Sequence, residues 1–360
     1  MKKFGILTGG GDAPGLNAVI RAAVLAAEHQ YGCEVVGIRS GFDGLLLPNG
    51  LVPLTPASVQ DIHSKGGTIL GAANRGNPFA RLVERDGQQV VEDASGEVVA
   101  RIAELGLDAL IVVGGDGTLA IARDLMQKGV NVVGVPKTID NDVGGTEMTF
   151  GFDTALNIAV EAIDRLHTTA ESHQRVMLLE VMGRDAGFIA LHAGLSAGAD
   201  IILIPEVPFS YSLIAEEIRS RLAGGYLDGL VVVSEGARPL DGEQVFSRAG
   251  DLLALPRLGG IAQRVAAWLE QECQVETRTT VLGHIQRGGT PTAFDRWLAT
   301  RYGAAALRLA ATGQYGRMVS YQQGRVTDVP LEAALGHPKR VDLQGDAVRA
   351  ARDIGICLGD

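Results

Sequence analysis

A near-continuous apolar run, Asp108-Ala-Leu-Ile-Val-Val113, stops abruptly at Gly114-Gly-Asp-Gly-Thr118. A run of strand length with no polar alternation reads as a strand buried on both faces. Gly114, Gly115 and Gly117 then let the backbone turn tightly and approach a ligand with no side chain in the way. Thr118 opens a helical segment, TLAIARDLMQKG, whose first-turn N–H groups would face that ligand. A second run, Asn131-Val-Val-Gly-Val135, leads into Pro136-Lys-Thr-Ile-Asp-Asn-Asp142 and sets Thr138, Asp140 and Asp142 at a strand end. A phosphate cradle beside a carboxylate cluster suits phosphoryl transfer, and few other reactions need both.

Similar runs recur at Lys3–Thr8, Glu34–Ile38, Val176–Val181, Ile201–Ile204 and Gly229–Ser234, separated by helical stretches such as Leu16–His29, Asp153–Thr169 and Ser212–Leu222. This β-α-β-α rhythm with unalternated strands predicts an α/β fold, with mostly parallel sheets covered on both faces and ligands at the carboxyl ends of the strands. Two polar excursions interrupt it and read as surface insertions. One is Val83–Val99, with Asp86-Gly87 as a hairpin-type turn; the other is Arg238–Leu258.

The chain has 360 residues, 46% apolar and 21% charged, enough for two well-filled lobes. Its formal charge of −10 argues against a nucleic-acid partner or an anionic membrane surface, though a local arginine cluster can still hold an anionic substrate. Cys33, Cys273 and Cys357 are scattered and match no metal-ligand spacing, which predicts free thiols in a reducing, cytoplasmic setting. The amino terminus lacks a signal-peptide pattern, and no uncharged apolar stretch reaches the ~18 residues of a membrane span.

The glycine turn Gly9-Gly-Gly-Asp-Ala-Pro-Gly15 also follows a strand and precedes a helix. Pro14 stands where the third glycine of a dinucleotide fingerprint belongs, which disfavours a nucleotide-dependent dehydrogenase, and no P-loop motif is present. Each feature has an ordinary alternative. Asp116 can cap the following helix. Asp140 and Asp142 beside Asn141 can form a solvated turn, and Glu235 after LVVVSEG can simply begin a helix. Arginines near strand ends, Arg175, Arg184, Arg278 and Arg287, are individually typical of surface ion pairs. Together with His284 in a short His-x-x-Arg unit they resemble a grip on a sugar phosphate, since a guanidinium holds phosphate through a planar fork.

At this point the chain resembles the 6-phosphofructokinase family over nearly its whole length. The resemblance rests on ILTGGGDAPGLNAVIR, GGTILG, GGDGT, PKTIDND, EAIDRL, SHQR, EVMGRDAG, IPEV, VLGHIQRGG and DRWLATRYGAAA, in order. GGDGT alone would also fit lipid kinases and NAD kinases, which lack TIDND and HIQRGG. The resemblance implies two Rossmann-like α/β/α lobes with the active site in the cleft between them: residues 1–150 with 285–335 as the larger ATP-binding lobe, and 151–284 with 336–360 as the sugar-phosphate lobe. It implies Asp140 as the base toward the 1-hydroxyl of fructose 6-phosphate, Thr138 and Arg184 as stabilisers of the phosphoryl group in transit, and Asp116, helped by Asp142, as the Mg²⁺ ligand. Gly11, Gly115, Asp116, Gly117 and Thr118 would line ATP. Arg175, Met182, Gly183, Glu235, Arg278, His284 and Arg287 would hold the sugar phosphate, with Arg175 and Arg278 reaching across a homotetramer built as a dimer of dimers.

The departures from the family pattern bear on the donor. The familiar bacterial nucleotide-using type has glycine where Lys137 stands, whereas the pyrophosphate-using branch has lysine there but aspartate at the position of Gly117. This chain combines Gly117 with Lys137, and Gly117 favours ATP because a carboxylate there would repel the α-phosphate. The usual donor-phosphate arginine is replaced by Asn74, with Arg75 next along as its substitute. At the bacterial effector site Arg21 is retained, while Leu25, Pro56, His167, Gly224 and Tyr226 replace its expected partners.

Overall fold

A computed structural model describes residues 1–360 except 74–75, 86–87 and 249–255. The expectations for Asn74 and Arg75 as donor contacts, and for the Asp86-Gly87 turn, therefore lie outside the described residues. Contacts divide the chain into two compact units, Met1–Asp153 with Arg287–Pro338, and Thr154–Gln286 with Lys339–Asp360.

The first unit begins with β1 (Lys3–Thr8), β2 (Glu34–Ile38) and β3 (Leu51–Leu54), then an antiparallel pair, β4 (Arg81–Arg85) and β5 (Gln88–Glu92). It continues with β6 (Ala109–Gly114), β7 (Val132–Thr138) and the short β8 (Phe150–Gly151). The second unit supplies β9 (Val176–Val181), β10 (Ile201–Leu203), β11 (Gly229–Ser234), β12 (Phe246–Arg248), β13 (Arg257–Leu258) and β14 (Thr277–Val281). The chain then returns to the first unit with β15 (Arg317–Gln322) and β16 (Arg325–Pro330).

The first unit's sheet runs β16-β15-β7-β6-β1-β2-β3, with β8 added on β7. Its central pairs are parallel, and only β3 and β16 pair antiparallel, at the edges. The unalternated strands are explained by burial on both faces. Ile111 and Val113 join Phe4, Ile6 and Val133 in one apolar cluster, while Leu110 and Val112 join Leu7 and Val132 in another. Helices Leu16–Ala26 and Ala293–Ala311 lie close together in the first of these clusters, and Gly303 makes that approach possible. A Cβ at Gly303 would run into the Val19 carbonyl.

The second unit's sheet, β10-β11-β9-β14, is wholly parallel, and β9 and β11 are buried along their full lengths. Both sheets agree with the mostly parallel α/β architecture expected from the sequence. The described part of the excursion Arg238–Leu258 is largely exposed, as expected, yet it is not detached. It pairs β12 with β13, and just beyond it the buried Glu180 of β9 accepts the N–H groups of Gly260 at 3.0 Å and Ala262 at 3.0 Å. A carboxylate at the start of helix Ile261–Cys273 satisfies donors that no carbonyl of the helix can reach.

Gly303→Val is expected to destabilise the protein by about 2–3 kcal/mol, because a side chain against backbone cannot be relieved by a rotamer change. Denaturant unfolding of the variant should show a lower midpoint with the same slope.

Candidate active site

Strand order brings the first unit's glycine turns together. From β1 the chain passes to β2 on one side and later to β6 on the other, so the order reverses between β1 and β6. Ligands of open α/β sheets collect at the carboxyl ends beside such a reversal. There Gly9–Gly11 leaves β1 and Gly114–Thr118 leaves β6. The Thr118 side chain is buried between the two turns: a Cβ at Gly9 would lie 2.7 Å from its Oγ1, and one at Gly114 would clash with it outright. Gly9 and Gly114 are thus required by packing. At Gly117, by contrast, a Cβ would meet nothing within 4 Å, so bare backbone faces open space at the start of helix Asp116–Gln127.

The structure decides the alternative for Asp116. Gly115 is the N-cap, no side chain caps the helix, and Asp116 is its first residue. Its Oδ1 is buried and has no hydrogen-bond partner. Burial, with the nearby charge of Asp142, raises its pKa from 3.8 to about 6. A carboxylate left without a donor beside a second carboxylate is the environment a divalent cation relieves. Among the described residues no group of three or more His, Cys, Asp or Glu could enclose a metal ion. That donor set fits Mg²⁺, which keeps several waters and phosphate oxygens in its shell and needs one or two carboxylates.

Beyond β7, the segment Thr138–Asp142 is held in shape by residues that the sequence reading left without a role. Asn141 adopts a left-handed backbone, φ 54°, a conformation asparagine tolerates better than most side chains. It is buried, its Oδ1 accepts the Thr149 N–H at 3.0 Å, and its Nδ2 donates to the Glu147 carbonyl at 3.3 Å. Thr149 in turn donates its hydroxyl to the Thr138 carbonyl at 2.9 Å, and Thr138 Oγ1 accepts the Asp140 N–H at 3.1 Å. Asp140 and Asp142, both half-buried, therefore leave a fixed turn rather than a solvated loop. The only signal in the sequence was an asparagine between two acids.

Lys137 completes this group. Its side chain is buried and its ammonium donates to the Gly11 carbonyl. Burial, and then the neighbouring Arg287, lower its pKa to about 8 against the opposing pull of Asp12, Asp142 and Asp140. Arg287 belongs to this first unit. It donates to the Asp12 carbonyl at 3.1 Å, and a Cβ at Gly11 would lie 3.0 Å from its Nη1. The structure thus gathers Gly11, Gly115, Asp116, Gly117, Thr118, Lys137, Thr138, Asp140 and Arg287 at the ends of β1, β6 and β7.

In the second unit the adjacent carboxyl ends of β11, β9 and β14 carry Glu235, Met182-Gly183-Arg184 and His284. Gly183 has φ 139°, and a Cβ there would lie 2.5 Å from Ser234 Oγ, so the turn admits no other residue. The Met182 N–H donates to the buried Gln286 Oε1 at 2.8 Å, a positioning contact the sequence reading did not assign. Arg184 donates through both terminal nitrogens to the Pro256 carbonyl at 3.2 Å.

Arg175 and Arg278 lie away from these carboxyl ends. Arg175 precedes β9, and Arg278 pairs in register with Met177, so both lie at the amino ends. Each is paired with Glu276, Arg175 at 2.7 Å. Along a strand rising about 3.3 Å per residue, Arg175 stands roughly 20 Å from Met182. Within one chain these two arginines and the Met182–Arg184 turn cannot hold the same small ligand.

The family model described as Phosphofructokinase matches residues 3–310. The chain is 51% identical to the ATP-dependent 6-phosphofructokinase of Chloroflexus aurantiacus, over 100% of this chain and 98% of the relative. It is 49% identical to a pyrophosphate–fructose 6-phosphate 1-phosphotransferase of Streptomyces coelicolor, over 94% of this chain and 96% of that one. Among solved structures, the phosphofructokinase of Saccharomyces cerevisiae superposes with a TM-score of 0.76 at 31% identity, covering 93% of this chain. This chain spans 45% of that longer one.

Asp116→Asn should raise stability in a pH-dependent way. The native state holds the Asp116 proton more tightly than the unfolded chain does, so its contribution is fully present below pH 3.8 and is lost as pH rises through about 6. With divalent cations chelated, the variant should melt roughly 2 °C above the unmodified protein near pH 8. The difference should vanish towards pH 4. Thermal melts across that range check the sign.

Proposed function

The chain belongs to the phosphofructokinase family, and from that premise we propose that it is an ATP-dependent 6-phosphofructokinase, making fructose 1,6-bisphosphate and ADP from fructose 6-phosphate and ATP in glycolysis. The observation that carries ATP as donor is the open space beside Gly117, where the inner phosphates of a nucleotide can lie against bare backbone and first-turn N–H groups.

In this reading Asp140 takes the proton from the 1-hydroxyl as the oxygen attacks the terminal phosphorus. Its carboxylate leaves a turn fixed by Thr138, Asn141 and Thr149, so its direction is set before substrate arrives. Thr138 and Arg184 stabilise the charge on the phosphoryl group in transit. Gly11, Gly115, Gly117 and Thr118 form the donor cradle, and the family resemblance adds Asn74 and Arg75 as donor contacts. Asp116, helped by Asp142, would hold Mg²⁺, which when bound neutralises charge on the donor phosphates. Met182, Gly183, Glu235, His284 and Arg287 hold the sugar phosphate. Such positioning and charge complementarity account for most of the catalysis in phosphoryl transfer.

Arg175 and Arg278 belong to the same substrate in a different way. Their place at the amino ends of β9 and β14 supports a homotetramer in which they serve a neighbouring copy's sugar phosphate. The reading places the enzyme in the cytoplasm, consistent with free Cys33, Cys273 and Cys357; no helix among the described residues is long and apolar enough to cross a membrane.

One observation favours a second reading, pyrophosphate as donor: Lys137 presents a buried ammonium beside Gly11, where a compact donor would meet it. Assays with ATP and with pyrophosphate side by side decide between them. ATP is expected to support turnover, and Gly117→Asp should weaken its use several-hundredfold, because charges ~4 Å apart at an effective dielectric near 20 repel by about 4 kcal/mol. Turnover with pyrophosphate alone would make Lys137 the better guide.

Asp140→Ala should lower kcat by about 10²–10⁴ with little change in substrate affinity. Arg278→Ala should raise the KM for fructose 6-phosphate far more than that for ATP. Mixing the two variants under conditions of subunit exchange should restore activity at fructose 6-phosphate concentrations where neither is active alone. No recovery despite demonstrated exchange would remove the shared site.

A further inference from the structure

The excursion Arg238–Leu258 does more than interrupt the second unit. Pro256 holds the guanidinium of Arg184 with its carbonyl, and Gln244 donates from Nε2 to the Arg184 carbonyl at 3.3 Å. The next residue, Arg257, brings Nη2 to 3.4 Å from His284 Nδ1. Across the β12–β13 pair Arg248 stands in register with Arg257, and both are exposed. Like charges directly opposite on an antiparallel pair destabilise it.

Arg257 thus meets His284, next in sequence to the Pro256 that holds Arg184, and the partners of Arg184 and Arg257 are a carbonyl and an imidazole rather than a carboxylate. An exposed contact of this kind contributes little to folding. A cluster of donors that carries positive charge and has no acid among its described partners is completed by an anion, and phosphate matches a guanidinium fork.

We propose that Arg257 is a further substrate-contact residue, donating with His284 to the phosphate of the sugar-phosphate substrate, so that β13 adds a cationic edge to that site. This rests on the functional reading above for the identity of the sugar phosphate, but not for the anion contact itself. Because Arg257 sits on an inserted strand rather than in the HIQRGG unit, it would tune which phosphorylated sugars are accepted while leaving the reacting end of the site unchanged.

The test uses the full chain and Arg257→Gln, with Arg257→Lys as the conservative variant. Arg257→Gln should raise the KM for fructose 6-phosphate roughly tenfold to a hundredfold, with kcat and the KM for ATP nearly unchanged. Arg257→Lys should recover part of the loss. The ligand-free melting temperature should not move, while the stabilisation by fructose 6-phosphate, and by inorganic phosphate alone, should shrink in Arg257→Gln. Unchanged KM and unchanged stabilisation by both ligands would overturn the proposal. So would a fall in kcat with a lowered ligand-free melting temperature, which would mark a purely structural arginine. An unmodified protein that does not turn over fructose 6-phosphate would sink the functional reading. Phosphate stabilisation lost in Arg257→Gln would still support the anion contact.

Discussion

Two parallel strands that end side by side must both turn away in the same small volume, and here one side chain occupies it. Thr118, in the first turn of the helix after β6, is wedged between the turn that leaves β1 and the turn that leaves β6. Gly9 and Gly114 are the response to that crowding. With those turns fixed, the start of helix Asp116–Gln127 is aimed outward past Gly117, Asp116 is carried into a buried position, and Gly11 comes within reach of Lys137. A packing requirement around one side chain thereby leaves bare backbone open at Gly117, the kind of surface a phosphate chain would need.

Charge in the first unit is balanced within a short distance rather than dispersed. Lys137 and Arg287 face Asp12, Asp140 and Asp142, and the burial that depresses the lysine also raises Asp116. The protein keeps a buried lysine in one of these turns and a carboxylate with a buried, unpartnered oxygen in another, and both cost stability. That cost is consistent with a site whose charges are completed by a polyanionic donor and a divalent cation. In the second unit the balance differs: arginines at the carboxyl ends rest on carbonyls and an imidazole, whereas those at the amino ends share Glu276.

Much of this was legible in the residues. Apolar runs without alternation specify strands covered on both faces, glycine clusters after them specify turns at ligand-facing ends, and the order of GGDGT, TIDND and HIQRGG carries the family resemblance. The bland alternatives were not separable by pattern. Asp116 as a helix cap and Asp140 in a solvated turn remain open until Gly115 is seen to be the cap and Asn141 is seen buried beneath the turn. Hydrogen bonds such as Asn141 to Thr149 or Met182 to Gln286 join residues whose nearness no local periodicity records.

The sequence by itself determined the element types, the parallel α/β class and the inventory of groups for phosphoryl transfer, because these follow from local spacing and side-chain chemistry. Tertiary structure alone decided which groups from distant segments meet. Arg287 reaches the turn that leaves β1, and Arg257, in an excursion with no motif, arrives beside His284. The physical reason is that strand order and the path of an insertion are set by packing between elements distant along the chain, and local spacing carries no information about which neighbours that packing selects.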